Sequence, residues 1–215
     1  MLSVSKTKVI GIVAASLAAV AIGQVASYRV VNGRTDADGF PTTSAQLCIK
    51  SGTVDQCYSP PSPESPLPPF GLNATARALK LATGAALIVF TAESSSGGSG
   101  SLTSIALLEN RNGQLINLLP NVGLTNQSEH HFWNLPAVSA MPVLVTADFV
   151  RSEGETHFSP HRYRITSFVY DRQGGRYVQR DQYVTEKKHP GLDDVDNIDV
   201  LAPEKTSIVR RLQNR

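Results

Sequence analysis

The stretch His161–Glu186 constrains the fold more than any other part of this chain. Tyr163, Ile165, Ser167 and Val169 alternate with Arg162, Arg164, Thr166, Phe168 and Tyr170. A period of two puts each set on its own face of an extended strand. Arg172-Gln173-Gly174-Gly175 follows, then a second run, Arg176–Glu186. A four-residue link pairs Asp171 with Arg176, Val169 with Val178 and Tyr163 with Val184. The expectation is an antiparallel hairpin. Its Ile165 face is buried, and its opposite face, with Arg162, Arg164 and Asp181, is at least partly wet.

Other segments repeat the β pattern. Ala85–Ala92 is a short run, apolar on both faces, and reads as a central strand. Ile105–Glu109, a turn at Asn110-Arg111-Asn112-Gly113, and Gln114–Leu119 read as a second hairpin, because Asn-Gly is a strong turn signal. Glu129–Leu135 and Val143–Val150 are further strands. The class is all-β and mainly antiparallel: a sandwich or open barrel of about eight short strands. A short helix is expected after Pro203. Glu204 sits near its start and Arg210 and Arg211 near its end, an order that suits the helix dipole.

The sequence divides into three parts. Residues 1–27 read as a signal peptide: Lys6 and Lys8, the apolar run Val9–Ile22, then Val25-Ala26-Ser27, with cleavage before Tyr28. The alternative is an uncleaved anchor formed by residues 9–28, which are uncharged over a length that can span a bilayer. Residues 28–69 form a polar lead that contains a short disulfide loop and a Pro-rich linker. Cys48 and Cys57 are the two cysteines of the chain, and an oxidising compartment would join them. Ser59–Pro69 holds six of the thirteen prolines, so it runs extended, as a spacer or as a strap along the domain. Residues 70–215 form the β-rich globular domain. The expected location is periplasmic or secreted.

Lys6 and Lys8 account for the formal net charge of +2, and the remainder of the chain is balanced. A balanced chain lacks the basic field that grips a phosphate backbone, which argues against a nucleic-acid partner. Membrane contact is expected only through the N-terminal segment, if that is retained.

Few residues could carry chemistry. Glu153, Glu155 and His157 share one side of an extended segment, with His161 just beyond Pro160. Such a loop is ordinarily solvated. Its chemical alternative is a divalent metal held by Glu153, Glu155, His157 and His161, as in a metal-dependent hydrolase. Ser94–Ser101 is a Ser/Gly loop that lacks the spacing of a hydrolase nucleophile elbow; Ser99 is its candidate binding residue, on the rim of a site. His131 and Trp133 share a strand face. Trp133 reads first as core, and otherwise as a platform for a sugar or an interface anchor. Asp36-Ala37-Asp38-Gly39 reads as a plain turn, and Asp193, Asp194, Asp196 and Asp199 as a solvated acidic turn. Asn73-Ala74-Thr75 and Asn126-Gln127-Ser128 match the glycosylation pattern.

No complete catalytic constellation is visible. The leading expectation is an exported, non-enzymatic β domain without a cofactor. It would bind a protein or glycan of the envelope through the surface near 94–101 and 151–163. The alternatives are the metal-dependent hydrolase and an anchored structural envelope protein.

Overall fold

A computed structural model describes residues 27–51, 53–63, 67–83, 85–95, 101–125, 127–156, 158–190 and 199–214. The expected signal or anchor, Ser99, His157 and most of the acidic turn lie outside them. The fold is mainly antiparallel β and sandwich-like, with three sheets of three to five strands and one helix.

The layers follow chain order. The first sheet contains β1 (Tyr28–Val31), β2 (Gln46–Ser51) and β3 (Val54–Tyr58), in that spatial order. Cys48 and Cys57 lie directly opposite each other on β2 and β3 and form a disulfide. The central sheet contains β4 (Leu72–Lys80), β5 (Ala86–Ser95), β6 (Ser101–Arg111), β7 (Gln114–Asn117) and β8 (Val122–Thr125). β6 pairs with β5 along one edge; β7 and β8 divide its other edge between them. The third sheet runs in the order β12 (Arg176–Val184), β11 (Arg162–Asp171), β10 (Val143–Val150), β9 (Glu129–Trp133). Helix α1 (Leu201–Gln213) covers its outer face.

Three apolar interfaces hold the four layers together. Ala45, Leu47, Ile49 and Phe70 pack against Ile88, Phe90, Ala92, Ala106 and Leu108 of the central sheet. Leu87, Val89, Ile105 and Leu107 point the other way, toward Leu144, Phe168 and Tyr177. Behind the third sheet, Val143, Val145, Ala147, Tyr163 and Ile165 meet Leu201, Ile208 and Leu212 of α1. This explains the doubly apolar β5 run: a strand in the middle layer has no wet face. The strands are open-ended arrays rather than a closed barrel, and there are twelve rather than about eight among the described residues. Four of the additional ones are β1–β4.

Two registers differ from the sequence expectation. The Asn-Gly hairpin turns in two residues. Asn112 and Gly113 both have positive φ, +53° and +86°, and Arg111 pairs with Gln114. That is the turn whose twist matches its strands. In the β11–β12 hairpin, Asp171 pairs with Arg176 and Val169 with Val178 as expected. A bulge then adds Arg180 to β12, so Ser167 faces Asp181 and Arg164, not Tyr163, faces Val184. On the Ile165 face Tyr163, Ile165 and Ser167 are buried and Val169 is partly buried, while Arg162 and Arg164 are exposed. Asp181, expected on the wet face, is instead buried under α1, where Arg211 Nε and Nη2 donate to its carboxylate at 2.6 and 3.2 Å.

The helix starts two residues before Pro203, and Pro203 sits in its first turn, where no N–H is required. Its first free amides, Val200 and Leu201, donate to Glu129 Oε2 of β9 at 2.8 and 2.9 Å. A carboxylate at the positive end of the helix dipole stabilises it. Glu204, Arg210 and Arg211 lie at the ends where the sequence places them. Among the described residues no helix is long and apolar enough to cross a membrane.

Candidate functional site

Of the Glu/His loop residues, two come together. Glu155 Oε2 lies 3.1 Å from His161 Nδ1 and accepts the Ser152 amide at 2.9 Å, while its Oε1 lies 2.8 Å from Lys188 Nζ. The Lys188 contact, then the Ser152 amide and His161, hold the Glu155 carboxyl down to about 2 from an ordinary 4.5. Glu153 is exposed in the turn. His157 lies outside the described residues. Among the described residues no three His, Cys, Asp or Glu side chains are placed to hold a metal ion. Glu155 instead ties the 151–160 loop to β11 and to Lys188. His161 and His189 exchange backbone hydrogen bonds at 2.9 and 2.7 Å. His161 Nε2, His189 Nε2 and the Tyr163 hydroxyl are buried without a hydrogen-bond partner among the described residues.

His131 and Trp133 share the helix-side face of edge strand β9. His131 Nε2 lies 2.8 Å from Glu129 Oε1, in the open. Trp133 is half-buried against the α1 interface, with Lys205 Nζ 5.3 Å from its ring centre. Trp133 thus serves packing first.

The apolar concavity lies beneath the proline strap. Prolines donate no ladder hydrogen bonds, so the described residues after β3 lie outside the sheet. The near end of the strap is anchored by Tyr58, which meets Phe90 edge-on at 6.2 Å and receives a hydrogen bond from Asn117 Nδ2 at 3.3 Å. Its far end is pinned where Ser94 Oγ donates to the Pro68 carbonyl at 2.6 Å. Between the anchors, Pro61, Pro63 and Leu67 overhang Leu102 and Ser104 of β6 and Val122 and Gly123 of β8.

The half-open groove measures about 350 Å³. That is within the roughly 300–1,000 Å³ of small-molecule sites. Its polar groups are few: Ser62, Ser104, Asn117 and Asn121. Asn117 is held in orientation, since its Oδ1 accepts the Leu107 and Leu119 amides, each at 3.1 Å. Among the described residues of the lining Tyr58 is the only ionisable side chain, and burial raises its pKa, partly offset by the Asn117 hydrogen bond. The sequence marks the strap through its prolines. It does not mark the floor, which comes from residues in two strands that become neighbours only when β8 pairs with β6.

No family model, no curated protein and no solved structure matches this chain.

Proposed function

We propose that this chain is an exported, non-enzymatic binding domain, and that the groove beneath the proline strap holds an acyl chain of an envelope lipid or lipidated molecule. The single observation that carries the reading is the groove itself: lined mainly by apolar side chains among the described residues, and edged by Pro61, Pro63 and Leu67 of the proline-rich strap. Such an edge loses little conformational freedom when a ligand enters, so more of the burial energy goes into affinity. Each buried methylene contributes about 0.8 kcal/mol, so an acyl chain gains with length until the groove is full. The disulfide and the Lys-led apolar N-terminus support export.

A neutral fluorescent acyl probe tests the site. The wild type is expected to enhance its emission. Gly123→Phe, whose added Cβ would meet Leu102 side-chain atoms first, at 3.6–3.7 Å, should fill the groove and abolish the enhancement. Leu67→Asp, which brings a charge to the half-open strap, should weaken it. Equal emission from all three proteins sinks the proposal. Export is tested by N-terminal sequencing of protein from the native host. A start near Tyr28 is expected, and full-length cytosolic protein would overturn it.

A further inference from the structure

We propose that a second cleft, apart from the strap groove, binds a neutral polyhydroxylated ligand, a sugar unit. Leu102 and Ser104 line the groove, whereas Thr103 between them lines this cleft. The cleft measures about 390 Å³. Its floor is the end of the central sheet where the apolar pattern of β5 gives way to Thr91 and Glu93. Register places Thr75 opposite Thr91 and Glu93 opposite Thr103, so hydroxyl and carboxylate side chains run across three strands on one face. His130 of β9 forms the facing wall.

The backbone is distorted at this place. β4 carries one extra residue between Leu72 and Thr75, and Asn73 adopts φ +47°. The Ala74 amide of the bulge is held by Asn32 Oδ1 at 3.0 Å. The distortion turns the Asn73 amide onto Glu93 Oε2 at 2.6 Å. Bulges re-aim side chains beside functional sites, and a left-handed non-glycine residue needs support from its surroundings. Glu93 Oε1, the Thr103 hydroxyl and both His130 ring nitrogens make no hydrogen bond among the described residues. Thr75 and Thr91 hydroxyls pair with each other at 2.8 Å, and each keeps further capacity.

The chemistry of these groups selects the ligand. Burial, with Arg77 nearby, pushes His130 below its ordinary value, so its imidazole is neutral at pH 7 and offers one donor and one acceptor. Glu93 repels phosphate and carboxylate. Arg77 is engaged over the Phe132 ring, 5.9 Å from its centre, instead of over the floor. What remains is an array of acceptors and two-way hydroxyls, which suits a ligand that is itself made of hydroxyl groups.

The test is an NMR titration of the full chain with methyl glucoside, methyl mannoside, methyl galactoside and N-acetylglucosamine, with glycerol as control. Concentrations should reach roughly ten times a millimolar dissociation constant. At least one sugar is expected to shift the amides around Asn73, Thr91, Thr103 and His130 and to leave those around Val122 and Gly123 unmoved. Thr91→Val and Glu93→Gln keep side-chain shape, and each is expected to weaken that sugar about tenfold, one good hydrogen bond. Asn73→Gly keeps the left-handed backbone and should act in the same direction. The proposal is overturned if no sugar shifts the cleft, if glycerol shifts it equally, or if both shape-preserving variants bind as the wild type does. The acyl probe reads the strap groove independently, so either site can fail alone.

Discussion

At Glu155 the surroundings outweigh the ordinary acidity of a carboxyl group. Lys188, the Ser152 amide and His161 all favour the ionised form, and its folded value falls to about 2 against 4.5. A depressed folded pKa contributes stability at pH above the unfolded value, and that contribution is lost as pH falls from about 4.5 toward about 2. Glu155→Gln is expected to flatten the acid limb of a denaturation profile across that window and to loosen the 151–160 loop. Tyr163 presents the opposite case. Its hydroxyl is buried without a partner among the described residues, and burial, aided by the charges of Glu129 and Asp148, pushes its pKa up from 10.0 to about 12. The neutral form is favoured, so its contribution is complete below pH 10 and is lost as pH rises toward 12. Tyr163→Phe removes a polar atom that would otherwise forfeit about 1–3 kcal/mol of hydration. The variant should melt at the same temperature or higher, with less alkaline sensitivity. A lower melting temperature would mean that the hydroxyl is bonded in solution.

Elements were legible wherever the period of two was carried by large side chains. β10 matches its expected range, and β11–β12 were found through Tyr163, Ile165 and Val169. Ile165 is fully buried against α1. Ile165→Asp should therefore cost more than about 3 kcal/mol. Arg172→Ala, in the exposed turn, should stay within about 0.5 kcal/mol. Urea unfolding distinguishes the two, and equal stabilities would place the buried face wrongly. β4 was not legible because Leu72–Lys80 alternates Ala74, Ala76 and Ala78 with Thr75, Arg77 and Leu79, and alanine carries little pattern. The β12 bulge was not legible either. It gains its reason only from α1, more than twenty residues away, whose Arg211 reaches Asp181 once Arg180 is looped into the strand. The polar cleft was hidden for the same cause: Asn73, Glu93, Thr103 and His130 are unremarkable until four strands bring them together. The strap could be marked out in the sequence because prolines cannot donate to a sheet ladder.

Across the whole molecule, the division at residue 70 follows composition but not packing. The lead supplies Ala45, Leu47 and Ile49 to the same interface as Ile88, Phe90 and Leu108. A chain beginning at Phe70 would bare that side of the central sheet. It is expected to bind hydrophobic dye and to associate, whereas the chain from Tyr28 should remain monodisperse; light scattering compares them. A monodisperse, dye-silent truncation would show the lead to be dispensable.

The order of the layers has a consequence for synthesis. Because they stack in chain order, β1–β3 leave the ribosome before β5 and β6, the strands that cover their apolar side. For that interval a small sheet must persist without a partner, a condition under which a lone hairpin is marginal in water. The Cys48–Cys57 link closes a loop with a sequence separation of only 9, wholly within the early segment. It can form before any later strand arrives, and a loop this short is worth roughly 2–3 kcal/mol by chain entropy. The disulfide then acts as a clamp in time as much as in space, holding the first layer in register until the second arrives to receive it.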